Sequence, residues 1–399
     1  MTTENFPFGE LLDALDAAPP FALLAVLTGH LKEVVDAQGV TLLLADYGER
    51  RLERLDEGRP TRSGESLDVD GSPQGRVFRR QERLSWPEGN AHRVCLPVTV
   101  RADRLGVLDV VLPEPPTAPV LTRLGHVATT LAYVIAAARP YTDVFERVRR
   151  YKPLELAAEI QWGLLPALAY EGDVLALAGV LEPAYEFGGD NFDYAVEEGA
   201  VTASVTDAMG HGLRAAVIGS LAVNALRNAR RSGASLTEQA AAANAALFGQ
   251  CEGEHFVSGL LVRVDLDSGE AVAVNAGHPP PHRVGREMVQ EIPLVPDFPL
   301  GLFPDSTYLP QSLALAPGDR LVLHSDGVVE AAPDSGEQFG SERLHALLRD
   351  TAGLRPPEVA RLVARSVVAH RGGGLRDDAT ILCIDRRPES VAAEGRTGP

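Results

Sequence analysis

Between residues 190 and 378 the chain places acidic side chains at the edges of four apolar runs, a pattern suited to metal-assisted hydrolysis. Glu186-Phe187-Gly188-Gly189-Asp190-Asn191-Phe192-Asp193 lies between strand-like segments. Val201-Thr202-Ala203-Ser204-Val205-Thr206-Asp207 alternates and ends on an Asp, then runs through Ala208-Met209-Gly210-His211-Gly212 into a helix. Arg320 to Leu323 is a second apolar strand, leading into His324-Ser325-Asp326-Gly327. Asp377-Asp378 reverses the order, with the carboxylates immediately before the strand Ala379 to Ile384. Singly, each has a plainer reading: Asp-Gly after a strand is commonly a turn, and Asp-Asp a solvated loop. Together, strand ends sharing a sheet or sandwich can bring their carboxylates to one rim. Carboxylates gathered there repel one another, and a pair of hard divalent cations with oxygen ligands relieves that repulsion. Two such cations can activate a water and neutralise phosphoryl oxygens.

These clusters need strands that end together. From Val174 onward the pattern is many short strands with two long Ala-rich helices inserted. The first ~140 residues read differently, as an α+β unit. Apolar positions at helical spacing occupy 9–17 and 20–36, and strand-like runs follow at Val40–Asp46, Arg93–Val100 and Arg104–Leu112. Arg101-Ala102-Asp103 breaks the last two as a hairpin would. A short helix is expected from Gly71 to Arg80 and a closing helix from Val120 to Ala138. Leu124, Ala128, Leu131, Ile135, Ala138, Thr142 and Phe145 then repeat in steps of four and three, the spacing of a coiled-coil seam. Two readings stand: a homodimer through this helix, or a closing helix packed on its own sheet. Pro140 predicts two helices rather than one rod.

The order of elements in the first part, with R-V-C-L-P-V-T-V followed by R-L-G-V-L-D-V-V, resembles a GAF sensor domain, though neither an N-K-x-x-D-E string nor a placed bilin cysteine accompanies it. The later motifs carry a sharper resemblance. F-G-G-D-N-F-D, T-D-A-M-G-H-G-L-R-A-A, N-A-G-H-P-P-P, H-S-D-G-V-V-E-A and R-D-D-A-T-I-L are similar, in that order, to the motif series of metal-dependent (PPM, protein phosphatase 2C-like) phosphatases of the bacterial sporulation-stage-II-E type. Ala157–Pro166 also resembles the helix preceding such domains.

The resemblance implies an α-β-β-α sandwich of two antiparallel sheets and a protein-serine/threonine phosphatase using two Mn²⁺ or Mg²⁺ ions. Residue by residue, it makes Asp207 the carboxylate bridging both ions and Ala208 a ligand through its backbone carbonyl. Asp326 and Asp377 become ligands of the second ion, and Asp190 the remaining acid, directly or through a water. Asp193 and Asp378 accompany them as supporting acids. His211 is the candidate general acid, with His278 behind it, and a Gly-bounded turn is the alternative reason for His211. Arg214 is near in sequence but without an assigned role, and Asn191 and Phe192 are expected to shape the rim. By resemblance the substrate is a phosphorylated STAS-domain anti-anti-sigma protein in partner-switching signalling.

The implied organisation is α+β: a GAF-like domain at 1–139, a helical linker at 140–170, the sandwich at 171–386 and a disordered tail at 387–399. With 37 Lys and Arg against 55 Asp and Glu, the chain of 399 residues carries a formal charge of −18. That charge speaks against nucleic-acid binding and anionic membrane surfaces, and so against a two-metal nuclease. The acidic start lacks a signal-peptide pattern, and no apolar run near the ~18 residues that span a bilayer is evident. Cys95, Cys251 and Cys383 are too far apart for a C-x-x-C pair, which fits a reducing cytoplasm. A weakly active or non-catalytic phosphoprotein-binding module is the rival function.

Overall fold

The computed structural model describes residues 8–56, 59–60, 66–183, 185, 188–286, 288–334, 336–372, 375 and 377–388. Glu186, Phe187 and the tail from residue 389 therefore lie outside the described residues. The chain divides into two compact units, 1–153 and 154–399.

In the first unit, helices α1 (Phe8–Ala17) and α2 (Leu23–Val35) lead into strands β1 (Gly39–Ala45), β2 (Arg51–Asp56), β3 (Arg59–Pro60) and β4 (Leu67–Asp68). Helix α3 (Pro73–Arg80) is capped by the Ser72 hydroxyl, which accepts from the Gly75 N–H at 3.0 Å. Strands β5 (Leu84–Glu88), β6 (Ala91–Val100) and β7 (Asp103–Leu112) follow, then helices α4 (Ala118–Ala138) and α5 (Val144–Arg149). The sheet runs β3-β2-β1-β7-β6-β5, with β4 on β2, and every pairing is antiparallel. Arg101 and Ala102 both take positive φ, 47° and 79°, the two-residue geometry whose twist suits a tight hairpin.

Leu124, Ala128, Leu131 and Ile135 are buried in the hydrophobic core of their own unit, together with Phe145. This corrects the intermolecular seam: the heptad-like spacing is spent on the unit's own core, leaving that stripe no surface for a second copy. Pro140 does divide the helices, inside a short 3-10 turn at Arg139–Tyr141. The segment Ala118–Tyr141 is long and apolar enough to cross a membrane by length and composition, contrary to the expectation above; its most apolar face is the one packed inside the unit. The stretch 140–170 is shared between units: Val144, Phe145 and Val148 belong to the first core, whereas the next helix opens the second unit.

The second unit begins with α6 (Leu156–Leu164), β8 (Ala169–Glu171), β9 (Leu175–Glu182), β10 (Asn191–Glu197) and β11 (Ala200–Ala208). The Ala-rich helices α7 (Leu213–Arg231) and α8 (Leu236–Cys251) come next. A reciprocal capping box fixes the start of α8, Ser235 accepting from the Glu238 N–H while Glu238 accepts from the Ser235 N–H. Strands β12 (Val257–Asp265), β13 (Glu270–Ala276), β14 (His282–Val284), β15 (Val289–Glu291), β16 (Gln311–Ala314) and β17 (Arg320–His324) follow. The unit closes with α9 (Asp326–Val329), α10 (Gly340–Arg349), α11 (Pro356–Arg371) and β18 (Ala379–Arg386).

Two antiparallel sheets result, β10-β11-β12-β13-β16 and β15-β14-β17-β18-β9-β8. Period-two alternation sends Val201, Ala203 and Val205 of one sheet and Leu321, Leu323, Leu382 and Ile384 of the other into a shared core. The opposite faces are covered by helices: α7 and α8 over Leu261 and Val274, and α10 and α11 over Val322, Ile381 and Cys383. The layers are thus helix, sheet, sheet, helix, the expected α-β-β-α sandwich.

Candidate active site

Neighbouring antiparallel strands place the end of one beside the start of the next. Asn191 pairs with Thr206, so Asp190, just before β10, lies beside Asp207, near the end of β11. His324 pairs with Ile381, so Ser325-Asp326 after β17 lies beside Asp377-Asp378 before β18. Facing sheets about 10 Å apart bring both strand-end pairs to one rim. Alternation decides which side chains turn inward: Asp190 continues the inward series of Phe192, Asp207 that of Val201, Ala203 and Val205, and Asp378 that of Leu382 and Ile384.

Asp207, Asp326 and Asp377 line a cleft of about 660 Å³ with Met209, His211 and His278. Beneath it Asp190 and Asp378 are buried, at 3% and 2% exposure. Asp378 Oδ2 accepts from the Gly189 N–H at 2.9 Å, the Asp190 N–H at 3.3 Å and Gln161 Nε2 at 3.0 Å. Gln161, buried on α6, also donates to the Asp190 carbonyl oxygen at 2.6 Å. Thr380 N–H donates to Ser325 Oγ and Ser325 N–H to the Thr380 carbonyl, tying the two strand ends together at 3.0 Å each. Gly327 admits this close approach, since a Cβ there would stand 1.9 Å from the Asp378 carbonyl oxygen.

The electrostatics follow from that crowding. Burial, then the Asp326 and Asp377 charges, push Asp207 up to about 7. Burial also raises Asp378 to about 6, against the hydrogen bonds it accepts. Asp190 is driven well above the ordinary carboxylate range by burial and by Asp207 and Asp378. Asp377 is raised by burial and by Asp326, with His211 opposing, and Glu330 at the rim is raised by burial, Asp326 and Asp377. Carboxylates so placed hold protons unless cations replace them. Asp190 Oδ2 and Asp378 Oδ1 are buried without a hydrogen-bond partner, and the donors are hard oxygens. The set therefore fits divalent cations of the Mg²⁺ and Mn²⁺ kind.

The other expected residues separate clearly. Ala208 is fully buried, with its carbonyl oxygen 3.1 Å from where a Cβ on Gly189 would stand. His211 is exposed at the cleft, between Gly210 and Gly212 at φ 86° and 79°, so the glycine turn and the imidazole's placement are both real features. His278 is buried, its Nδ1 2.8 Å from Ser258 Oγ and its backbone held on both sides by Asn275. Burial and His324 push its ring down to about 3, which keeps it neutral. Arg214 is exposed and lies outside the cleft lining, and among the described residues no Arg or Lys lines the cleft.

Asp193 does not join the rim. It faces α7 instead, 2.7 Å from Arg227 and 2.9 Å from Arg230, with only 4% of its side chain exposed. Removing it would strand two largely buried guanidinium groups, a loss of about 3–5 kcal/mol for a broken buried pair. Phe192 and Asn191 also depart from expectation: both are buried, and the Phe192 ring fills the space left by the missing side chain of Gly179 in the inter-sheet core. Phe192→Ala would thus cost about 3–5 kcal/mol of stability rather than alter the rim. Gln161 joins the acidic cluster although none of the acidic motifs contains it. Its only signal in the sequence was its place in the Ala157–Pro166 helix, whose contact with the acids spans 217 positions in the chain.

A rim of carboxylates from paired strand ends on an α-β-β-α sandwich defines the PP2C-like class of phosphatase folds. Residues 197–387 match the family model described as Stage II sporulation protein E (SpoIIE), so this unit carries a SpoIIE-type PP2C phosphatase domain. Asp190 lies just ahead of the matched span. The SiaA-PP2C domain of Pseudomonas aeruginosa is 26% identical, with a TM-score of 0.50, covering 57% of this chain and 94% of that domain. Phosphoserine phosphatase RsbU of Bacillus subtilis (strain 168) is 22% identical over 235 residues, 59% of this chain and 70% of RsbU. Protein IcfG of Synechocystis sp. (strain ATCC 27184 / PCC 6803 / Kazusa) is 27% identical over 124 residues, 31% of this chain and 19% of IcfG. The match thus spans about a fifth of one curated relative and about two thirds of the other.

Proposed function

We propose that this protein is a metal-dependent protein-serine/threonine phosphatase acting on a phosphorylated STAS-domain anti-anti-sigma protein, with residues 1–139 as a GAF-like sensor. The observation that carries the reading is the convergence of Asp207, Asp326 and Asp377 on one cleft over buried Asp190 and Asp378. In this proposal Asp190, Asp207, the Ala208 carbonyl, Asp326 and Asp377 hold two Mg²⁺ or Mn²⁺ ions. When bound, such ions activate water and neutralise phosphoryl oxygens. The likeness to RsbU, a phosphoserine phosphatase, supports the substrate class, and the free cysteines Cys95, Cys251 and Cys383 are compatible with a cytoplasmic location.

The chain's own contributions are positional and acid–base. Asp378, held by Gln161 and two backbone N–H groups, fixes the spacing between the two sheets' carboxylates. His211, exposed at the cleft and facing the charge of Asp377, is placed to donate a proton to the departing seryl oxygen. The exposed Met209 and Leu213 flank it and offer apolar surface to a protein substrate.

The test is turnover of a phosphorylated STAS protein and of p-nitrophenyl phosphate, with and without Mn²⁺ after chelation. Asp207→Asn removes the charge at the centre of the cluster and should reduce both activities to background. Metal-independent turnover in the parent, or near-parental activity in Asp207→Asn, would overturn the metal-dependent reading of this acidic site.

A further inference from the structure

A second group of metal-ligating side chains lies outside the acidic cleft lining. His282 on β14, Glu291 on β15 and His345 on α10 each present a ligand atom, and these atoms lie within 4.8 Å of one another. His282 and Glu291 are direct partners in the β14–β15 ladder, which places both side chains on one face of the sheet. Helix α10 packs on that face through Leu344 and Leu348, delivering His345 between them. The His282 and His345 rings meet edge to face with centroids 4.6 Å apart, and His324 lies 5.1 Å from His282.

Packing alone leaves the polar atoms of this group unexplained. His282 is 1% exposed, and neither of its ring nitrogens has a hydrogen-bond partner. His345 Nε2 and the Nε2 of fully enclosed His324 are likewise buried without one. An unpaired buried polar atom costs about 1–3 kcal/mol, and three neighbouring imidazoles repeat that cost in one place. Burial keeps His282 neutral, so a nitrogen lone pair is available for coordination.

We propose that His282, Glu291 and His345 form a binding site for a divalent transition-metal ion of the zinc class, with water in the fourth position. Two imidazoles and a carboxylate suit Zn²⁺, whereas Mg²⁺ favours oxygen ligands and retains its waters. With Zn–ligand distances near 2.0–2.2 Å, tetrahedral ligands stand roughly 3.4 Å apart, so closure needs an inward swing of about 1 Å. Exposed Glu291 and half-buried His345 have room for it. The ion would tie the β14–β15 hairpin to α10, against strand β17, whose end leads into Asp326. The site does not depend on the phosphatase reading.

The experiment uses full-length protein, stripped by a chelator and titrated with Zn²⁺ against a chromophoric indicator in excess Mg²⁺. The parent and Asp207→Asn should each retain one Zn²⁺ equivalent under Mg²⁺ competition, and Zn²⁺ should raise their melting temperatures. Co²⁺ in its place should give the intense visible bands of a tetrahedral site. His345→Ala and Glu291→Gln should each weaken Zn²⁺ binding by about tenfold or more. Both replace residues outside the fully buried core, and circular dichroism checks their fold. Absence of a Mg²⁺-resistant Zn²⁺ equivalent in the parent, or parental affinity in the two folded variants, would overturn the proposal.

Discussion

At the scale of single residues, position on the strand decides what each acid does. Asp190 and Asp193 are three positions apart, so alternation turns one to the inter-sheet rim and the other to α7. The same logic puts Asp378 under the cleft while Asp377, its exposed neighbour, reaches the lining. His211 is exposed and lines the cleft, and in the proposed function it delivers the proton to the leaving group. His211→Ala should therefore depress turnover of phosphoserine protein, whose leaving alkoxide needs a proton, and largely spare p-nitrophenyl phosphate. Parallel assays on the two substrates measure that split. Equal losses would remove the general-acid role.

Among elements, α6 has the most unexpected part. Its sequence resembles a lead-in helix, yet it delivers Gln161 to two residues of the acidic cluster from opposite sheets. Gln161→Leu keeps the side-chain volume but removes both donors, leaving the Asp190 carbonyl and Asp378 short of a partner. A buried acceptor deprived of its donor costs about 1–3 kcal/mol. The variant should fold with a lowered denaturation midpoint and need more Mn²⁺ for half-maximal activity, as a metal titration of initial rates would show. An unchanged metal requirement would make Gln161 a packing residue only. Helix α4 teaches the complementary lesson, because a seam-like spacing of Leu124, Leu131 and Ile135 is equally the stripe of a helix lying on its own core.

For the whole molecule, the accumulated carboxylates predict an inverted pH response when metal is removed. Folded Asp207 and Asp378 keep their protons up to about 7 and about 6, whereas unfolded they release them near 3.8. Between those limits the folded state binds more protons, so stability falls as pH rises through about 6 and about 7. Asp190 and Asp377, also raised, act in the same direction. Urea midpoints in excess chelator from about pH 5 to 7 should decline, and saturating Mn²⁺ should flatten the trend. A rising or flat midpoint in chelator would contradict the crowded-carboxylate picture. The second unit also owns three hydrophobic clusters of its own. Deleting residues 1–153 should leave it folded and change its turnover on the protein substrate; equal rates with and without the first unit would reduce that unit to a scaffold.

The sequence by itself carried the acidic motifs and, through the resemblance those motifs support, the layered architecture of the second unit, because strand ends and helix patterns are written locally. Alternation marks strands such as Val201–Asp207, helical spacing marks α7 and α8, and an Asp at a strand end is visible without knowing its neighbours. Period two also carried the information that Asp193 faces away from Asp190, once Phe192 is known to point inward. Tertiary structure alone decided the rest. Whether the Leu124–Ile135 stripe meets its own sheet or a second copy depends on what surface is left uncovered, and no spacing records that. The contacts of Gln161 with Asp378, and of His282 with His345, join residues 217 and 63 positions apart. Such pairs arise from the packing of whole layers, and the physical reason is that a side chain's partner across a sandwich is set by how sheets and helices stack, not by its neighbours in the chain.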